Sequence, residues 1–214
     1  DKKVKISNTE IIAHEGNPKK VLLDKLQKYD LSTIDYLTVT GRKFRDFVNL
    51  PNITEPEATE IAYDYVLKNL KSKDKNSKDF GAIASAGGET FMVYSLSKDG
   101  KISNVYTGNK CASGTGEFFL QQIRRMNLSM DKAIDVANNE EPHRVTGRCS
   151  VFCKSDCTHA LNKGIPKGQV TAGLCEMMAK KISELLAKIP KTKIMIVGGT
   201  AQNEVVMDFL KKEF

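Results

Sequence analysis

Several things are missing from this sequence. No run of apolar residues approaches the ~20 needed to cross a bilayer, and the opening Asp1-Lys2-Lys3-Val4 lacks the apolar stretch of a secretory signal. Membrane-spanning helices and export are therefore not expected, and the reading is a cytoplasmic protein. There is no initiator Met, so a piece of a longer polypeptide is expected. Arginine is scarce, with six among 33 basic residues, and the lysines are scattered among 26 acids. Nucleic-acid readers cluster Arg and interleave aromatics, so the net charge of +7 reads as a solvated Lys-rich surface. A basic face that docks an acidic protein partner is the other reading of that charge. The three histidines, His14, His143 and His159, sit in no triad motif, which argues against a nucleophilic hydrolase. Walker loops and G-x-G-x-x-G fingerprints are absent as well.

What is present suffices for a packed core: 214 residues, 40% of them apolar, with nine Phe. Strand-prone runs fall at Val4–Ile6, Thr9–Ala13, Tyr36–Val39, Gly81–Ala84, Phe91–Ser95 and Ile194–Val197. Helical periods cover Lys19–Tyr29, Glu57–Leu70, Glu117–Met126, Asp131–Ala137, Val151–Asn162, Thr171–Ile189 and Val205–Phe214, with Ser129 as an N-cap. Strands alternating with helices predict an α/β fold with a partly parallel sheet. The polar run at 71–78 reads as a connector, and the turn-punctuated stretch 80–106 as the opening hairpin of a second subdomain.

Five cysteines without an export signal point to metal or redox chemistry in a reducing compartment. Cys149, Cys153 and Cys157 are spaced by four and form one helical stripe. Cys111 precedes the small-residue turn Ala112-Ser113-Gly114-Thr115-Gly116, which feeds a helix start that favours thiolate. Thiolates bind zinc or iron–sulfur clusters, and a four-iron cluster wants four of them. The spacing alone matches no generic metal motif. Cys175, at an apolar helical position, reads as a small buried hydrophobe. Two glycine pairs follow strands, in Ser85-Ala86-Gly87-Gly88-Glu89-Thr90 and in Val197-Gly198-Gly199-Thr200-Ala201-Gln202-Asn203. Such pairs let backbone N–H groups approach phosphates, although each alone is more often a tight turn.

The segment Asn109–Phe118 resembles the "KCAAGTGRF" stretch of the activator ATPases of 2-hydroxyacyl-CoA dehydratases and benzoyl-CoA reductases, the BadF/BadG/BcrA/BcrD family. Cys149-Ser150-Val151-Phe152 is similar to their "CTVFAESE", Thr40-Gly41-Arg42 to "TGYGR", and Gly198–Asn203 to "GGVAKN". The resemblance implies an actin/Hsp70/sugar-kinase-like, ribonuclease H-like fold with two lobes closing on ATP and Mg²⁺. Residues 1–79 would be the remainder of the first lobe and 80–214 the second. It implies an anaerobe's homodimer sharing one [4Fe–4S] cluster, with Cys111 and Cys149 as each protomer's ligands. ATP turnover to ADP would drive one electron, received from ferredoxin or flavodoxin, into a dehydratase or reductase partner. Nucleotide contacts would come from Gly87, Gly88, Thr90, Gly114, Thr115, Gly116, Gly198, Gly199, Thr200 and Asn203, with Glu89 as the catalytic candidate orienting water or Mg²⁺. Neither a nucleic acid nor a membrane is an expected partner.

The chain also departs from the pattern. The family's first phosphate loop is absent, so this piece alone is expected to bind ATP weakly. Ser85 stands where an Asp usually precedes the Gly87-Gly88 pair, and Cys153 replaces the first "AESE" position, with Cys157 just after the last. The alternatives are a sugar-kinase-like domain, which needs a base Asp not found here, or a metal-binding domain of the same fold without ATP turnover.

Overall fold

Alanine at alternate positions of a strand leaves one sheet face shallow enough for a helix to lie against it. Strand β1 (Ala82–Ala86) does this with Ala82, Ala84 and Ala86, while Ile83 points to the other face. Strand β2 (Phe91–Leu96) alternates likewise, Phe91 and Val93 to the first face, Met92 and Tyr94 to the second. Strand β3 (Ile102–Thr107) and strand β4 (Ile194–Val197) complete a four-stranded sheet in the order β3-β2-β1-β4. β1 pairs antiparallel with β2 and parallel with β4, Ala82 opposite Ile194 and Ser85 opposite Val197. A parallel neighbour needs a crossover. Here it carries four helices: α3 (Gly116–Arg125), α4 (Met130–Ala137), α5 (Ser150–Asn162) and α6 (Lys167–Leu186).

This computed structural model describes residues 5–14, 16–41, 48–69, 80–108 and 114–213. The chain divides into two compact units, residues 1–62 and 63–214. In the first, helix α1 (Pro18–Leu26) is capped by Asn17, whose side chain accepts from the Lys20 N–H. Val39 and Asn52 form an isolated parallel bridge. Thr54 and Glu57 cap reciprocally, at 2.8 and 3.3 Å, helix α2 (Glu55–Asn69), whose residues from 63 on count with the second unit. No described residue of this unit is buried.

The second unit holds the core. Thirteen of the 20 residues of α6 are buried, among them Val170, Leu174, Met178 and Ile182, which join Ala82, Ala84 and Val93 of the sheet in one cluster. Burying each such aliphatic side chain contributes about 1.5–3 kcal/mol. The opposite sheet face is closed by Tyr63, Leu67 and Phe80. Helix α7 (Glu204–Glu213) packs along α6 through Val205, Val206 and Leu210.

All seven expected helices form, shifted by a few residues at most, and Ser129 caps α4 through the Lys132 N–H. Among the described residues the expected strands at 5–6, 9–13 and 36–39 do not form; Val4 lies outside them. Only Val39 finds a bridge partner, and a strand without a ladder leaves its backbone to water. Ile11 and Tyr36 are both 95% exposed. The polar run at 71–78 lies outside the described residues.

Candidate functional site

Three backbone turns of the second unit meet at the ends of β1 and β4. One is the β1–β2 turn, Gly87-Gly88-Glu89-Thr90. Another is the start of α3, Gly114-Thr115-Gly116, where the Thr115 hydroxyl caps the helix by accepting from the Phe118 N–H at 3.5 Å. The last links β4 to α7 through Gly198–Asn203.

Main-chain contacts hold them together. The Gly116 N–H donates to the Gly87 carbonyl at 3.2 Å and the Glu117 N–H to the Gly88 carbonyl at 2.9 Å. Gly198 has φ +99°, and a Cβ there would stand 2.5 Å from the Ala86 carbonyl oxygen. Only a glycine combines that conformation with that approach. A Cβ on Gly116 would lie 3.1 Å from Gly87 O and 3.2 Å from Thr200 Oγ1.

The turns leave room on their other sides. Beyond the Cα of Gly88 and of Gly199, among the described residues and chain neighbours aside, no heavy atom lies within 4 Å of where a side chain would start. The Thr200 hydroxyl is buried and, among the described residues, has no hydrogen-bond partner. A buried polar atom without a partner costs about 1–3 kcal/mol. The N–H groups of Gly116, Glu117 and Phe118 are already engaged, so an anion drawn to the positive end of α3 would meet the Thr200 hydroxyl and the open faces of Gly88 and Gly199. The residues present therefore fit a nucleotide's phosphates.

The sequence-selected residues fall around these turns in different ways. Gly87, Gly88, Thr90, Gly114, Thr115, Gly116, Gly198, Gly199 and Thr200 line the three turns. Glu89 stands exposed on the β1–β2 turn. Asn203 is buried, with its Oδ1 accepting from the Val206 N–H at 3.2 Å and its Nδ2 3.7 Å from Cys175 Sγ. Its side chain thus caps α7 and faces the core.

Cys111 lies outside the described residues, as do Arg42 and residues 109–113. Cys149 occupies the N-cap of α5, half-buried, and its thiol makes no cap hydrogen bond. At a helix start and, among the described residues, without a hydrogen bond in the cap, it suits a metal ligand. Cys153 and Cys157 continue the stripe inward and are buried. Cys153 Sγ contacts Met177 Sδ at 3.9 Å, and hydrogen bonding with Cys157, together with burial, holds its thiol far above the ordinary range. The same hydrogen bond, helped by Arg125, lowers Cys157. Burial pushes the Cys175 thiol up to about 12. Among the described residues no three His, Cys, Asp or Glu side chains gather as a metal site, so Cys149 alone of the described thiols is placed to reach an external ligand set.

Sequence reasoning missed two things here. One is the tie between the helices that begin at the cysteine segments: Arg125 of α3 donates to Thr158 of α5 at 3.2 Å. An Arg at a helix end carries no signal of a partner 33 residues away. The other is the cleft beside α5, of about 510 Å³, between loop 143–148 and His159 and Lys163. Its basic residues are spread over 20 positions, so no run exposes them.

The sequence profile of the BadF/BadG/BcrA/BcrD ATPase family matches residues 28–214. The chain belongs to this family. Relatives of this ATPase-family chain include the uncharacterised protein YjiL of Escherichia coli, 25% identical over 80% of the chain and 64% of YjiL. Another is the 2-hydroxyisocaproyl-CoA dehydratase activator of Clostridioides difficile, 27% identical over 61% of the chain and 50% of that protein. The matches thus span about half to two thirds of the length of these two curated relatives. The solved structure of the Clostridium difficile activator with bound ADPNP superposes with a TM-score of 0.75 at 21% identity, over 92% of the chain and 71% of that structure. The α/β fold implied by the resemblance is therefore the fold of the chain. No helix among the described residues is long and apolar enough to cross a membrane.

Proposed function

We propose that this chain is the body of an ATP-dependent iron–sulfur activator that passes single electrons to a 2-hydroxyacyl-CoA dehydratase or a related reductase. The observation that carries the reading is the convergence of the three glycine turns on the buried, unpartnered Thr200 hydroxyl, in a chain similar to named dehydratase activators. ATP or ADP with Mg²⁺ would place its phosphates against Gly87, Gly88 and the Gly114–Gly116 helix start. Gly198, Gly199 and Thr200 would flank the nucleotide, and Asn203 would hold that turn from behind by capping α7. Glu89, exposed at the rim, is the candidate for orienting water or Mg²⁺.

Cys149, and Cys111 in the sequence segment before α3, would each give one thiolate. Two thiolates per chain complete a four-iron cluster only in a homodimer, and the cluster, when bound, supplies a one-electron carrier. Ferredoxin or flavodoxin is the proposed source of the electron. The two backbone bonds from α3 to the Gly87-Gly88 turn support the coupling, because a nucleotide that moves the turn moves the start of α3.

The test is iron and acid-labile sulfide on protein purified without oxygen, with ADPNP affinity and solution mass. About two irons per protomer in a dimer that binds ADPNP is the expected result. A monomer without iron would overturn the reading in favour of a nucleotide-binding domain of the same fold.

A further inference from the structure

Helix α5 presents a second stripe beside its cysteines. Phe152, Asp156, His159 and Lys163 follow one another at the spacing that shares a helix face. Phe152 is 65% exposed, and Val151 next to it 69%. Against this stripe runs loop 143–148, seated on α6 by the His143 N–H, which donates to the Gln169 carbonyl at 2.9 Å. Between stripe and loop lies the cleft of about 510 Å³, with Arg144, Arg148, His159 and Lys163 on its walls. Its one carboxylate, Asp156, is engaged, accepting from the Thr146 N–H at 2.9 Å. Among the described residues Arg144, Arg148 and Lys163 form no ion pair. Three exposed cations with one engaged carboxylate leave a local excess of positive charge, directly next to Cys149.

Resting on the activator reading above, we propose that this face of α5 is where an acidic one-electron donor protein docks. A small anion would need the cations alone. An exposed aromatic on the same stripe, rimmed by charge, marks a protein contact instead. Transient redox encounters are small and governed by charge, and a patch of this size suits one. Asp156, mid-cleft, lies about 10 Å along the helix axis from Cys149 at 1.5 Å per residue. The donor would give up one electron to a cluster held by Cys149, with no bond made or broken and no proton moved. The side approach leaves the Cys149 end of the helix to the shared cluster.

The experiment measures binding of an acidic, oxidised ferredoxin to the protein purified without oxygen by calorimetry, at low and raised salt. The double variant R144E/K163E is expected to bind at least tenfold more weakly than wild type, with a flatter salt dependence. A control with the same change of charge on the exposed Lys188 and Lys191, K188E/K191E, is expected to bind as wild type does. Phe152→Ala is expected to weaken binding several-fold with the salt slope kept. Equal binding by R144E/K163E and the control would overturn the proposal. So would displacement of ferredoxin by inorganic phosphate beyond the effect of equal ionic strength, which would make the cleft a small-anion site. Iron content and ADPNP affinity of the wild-type protein, measured separately, test the activator reading itself. Normal values there with unaltered ferredoxin binding in R144E/K163E would sink the docking face alone.

Discussion

Thr200 Oγ1 lies 3.2 Å from the point where a Cβ on Gly116 would stand, and Gly87 O lies 3.1 Å from it on another side. One added methyl therefore presses on two of the three turns at once. Gly116→Ala is expected to weaken ADPNP binding about tenfold, or ~1.4 kcal/mol, with the far-ultraviolet dichroism unchanged. Titration calorimetry checks it. Wild-type affinity in this variant would separate the three turns from the nucleotide.

The two glycines after β4 are expected to part company. Gly198→Ala forces a side chain into φ +99° and against the Ala86 carbonyl, and is expected to cost about 2 kcal/mol or more of stability. Gly199→Val points into open space. It is expected to leave the unfolding free energy within about 0.5 kcal/mol of wild type while lowering nucleotide affinity. Urea unfolding of the pair measures the first difference, and ADPNP titration the second.

The cysteines of α5 are expected to divide into ligand and core. Cys149→Ser keeps the fold and loses the iron, since that thiol is half-buried and bonded to nothing in the cap. Cys153→Ala keeps the iron and lowers stability by about 1–2 kcal/mol, because it empties a fully buried site against Met177. Iron per protomer and unfolding free energy of the two variants are the measurements. Full iron in Cys149→Ser would remove it from the ligand set.

Alkaline pH tests the packing behind the β4 turn. The Cys175 thiol sits near 12 in the fold against about 9 ordinarily, raised by burial and partly offset by Asn203. Between those values the unfolded chain has lost the proton and the folded chain keeps it. Stability should therefore be unaffected by this group below pH 9 and fall above it, by up to about 1.4 kcal/mol per pH unit. Subtracting the unfolding curve of Cys175→Ala from that of wild type isolates the effect. A flat difference from pH 8 to 10.5 would show that Cys175 is hydrated in the fold.

The sequence made the second unit legible and the first one less so. Residues 116–213 announce their helices through period and cap, because an amphipathic face and a Ser129 or Thr115 hydroxyl act within four residues. Strands 5–6, 9–13 and 36–39 have the right composition, yet pairing is a property of a neighbour and cannot be read from the strand itself. The glycine turns were visible as turns. That Gly198 abuts Ala86, or that α3 bonds back to Gly87 and Gly88, depends on the parallel register of β1 with β4, which no local pattern encodes. The cleft beside α5 stayed hidden for the same reason: its cations are joined only once loop 143–148 is seated on α6.

The bond from Gly116 to Gly87, and its neighbour from Glu117 to Gly88, consist of main chain at both ends. A link of that kind works like a tie rod. It has no rotamer to flip and no side chain to lengthen or shorten, so a displacement of the turn reaches α3 undamped. Point substitution on this chain can jam the rod, as at Gly116, but offers no means of retuning its throw.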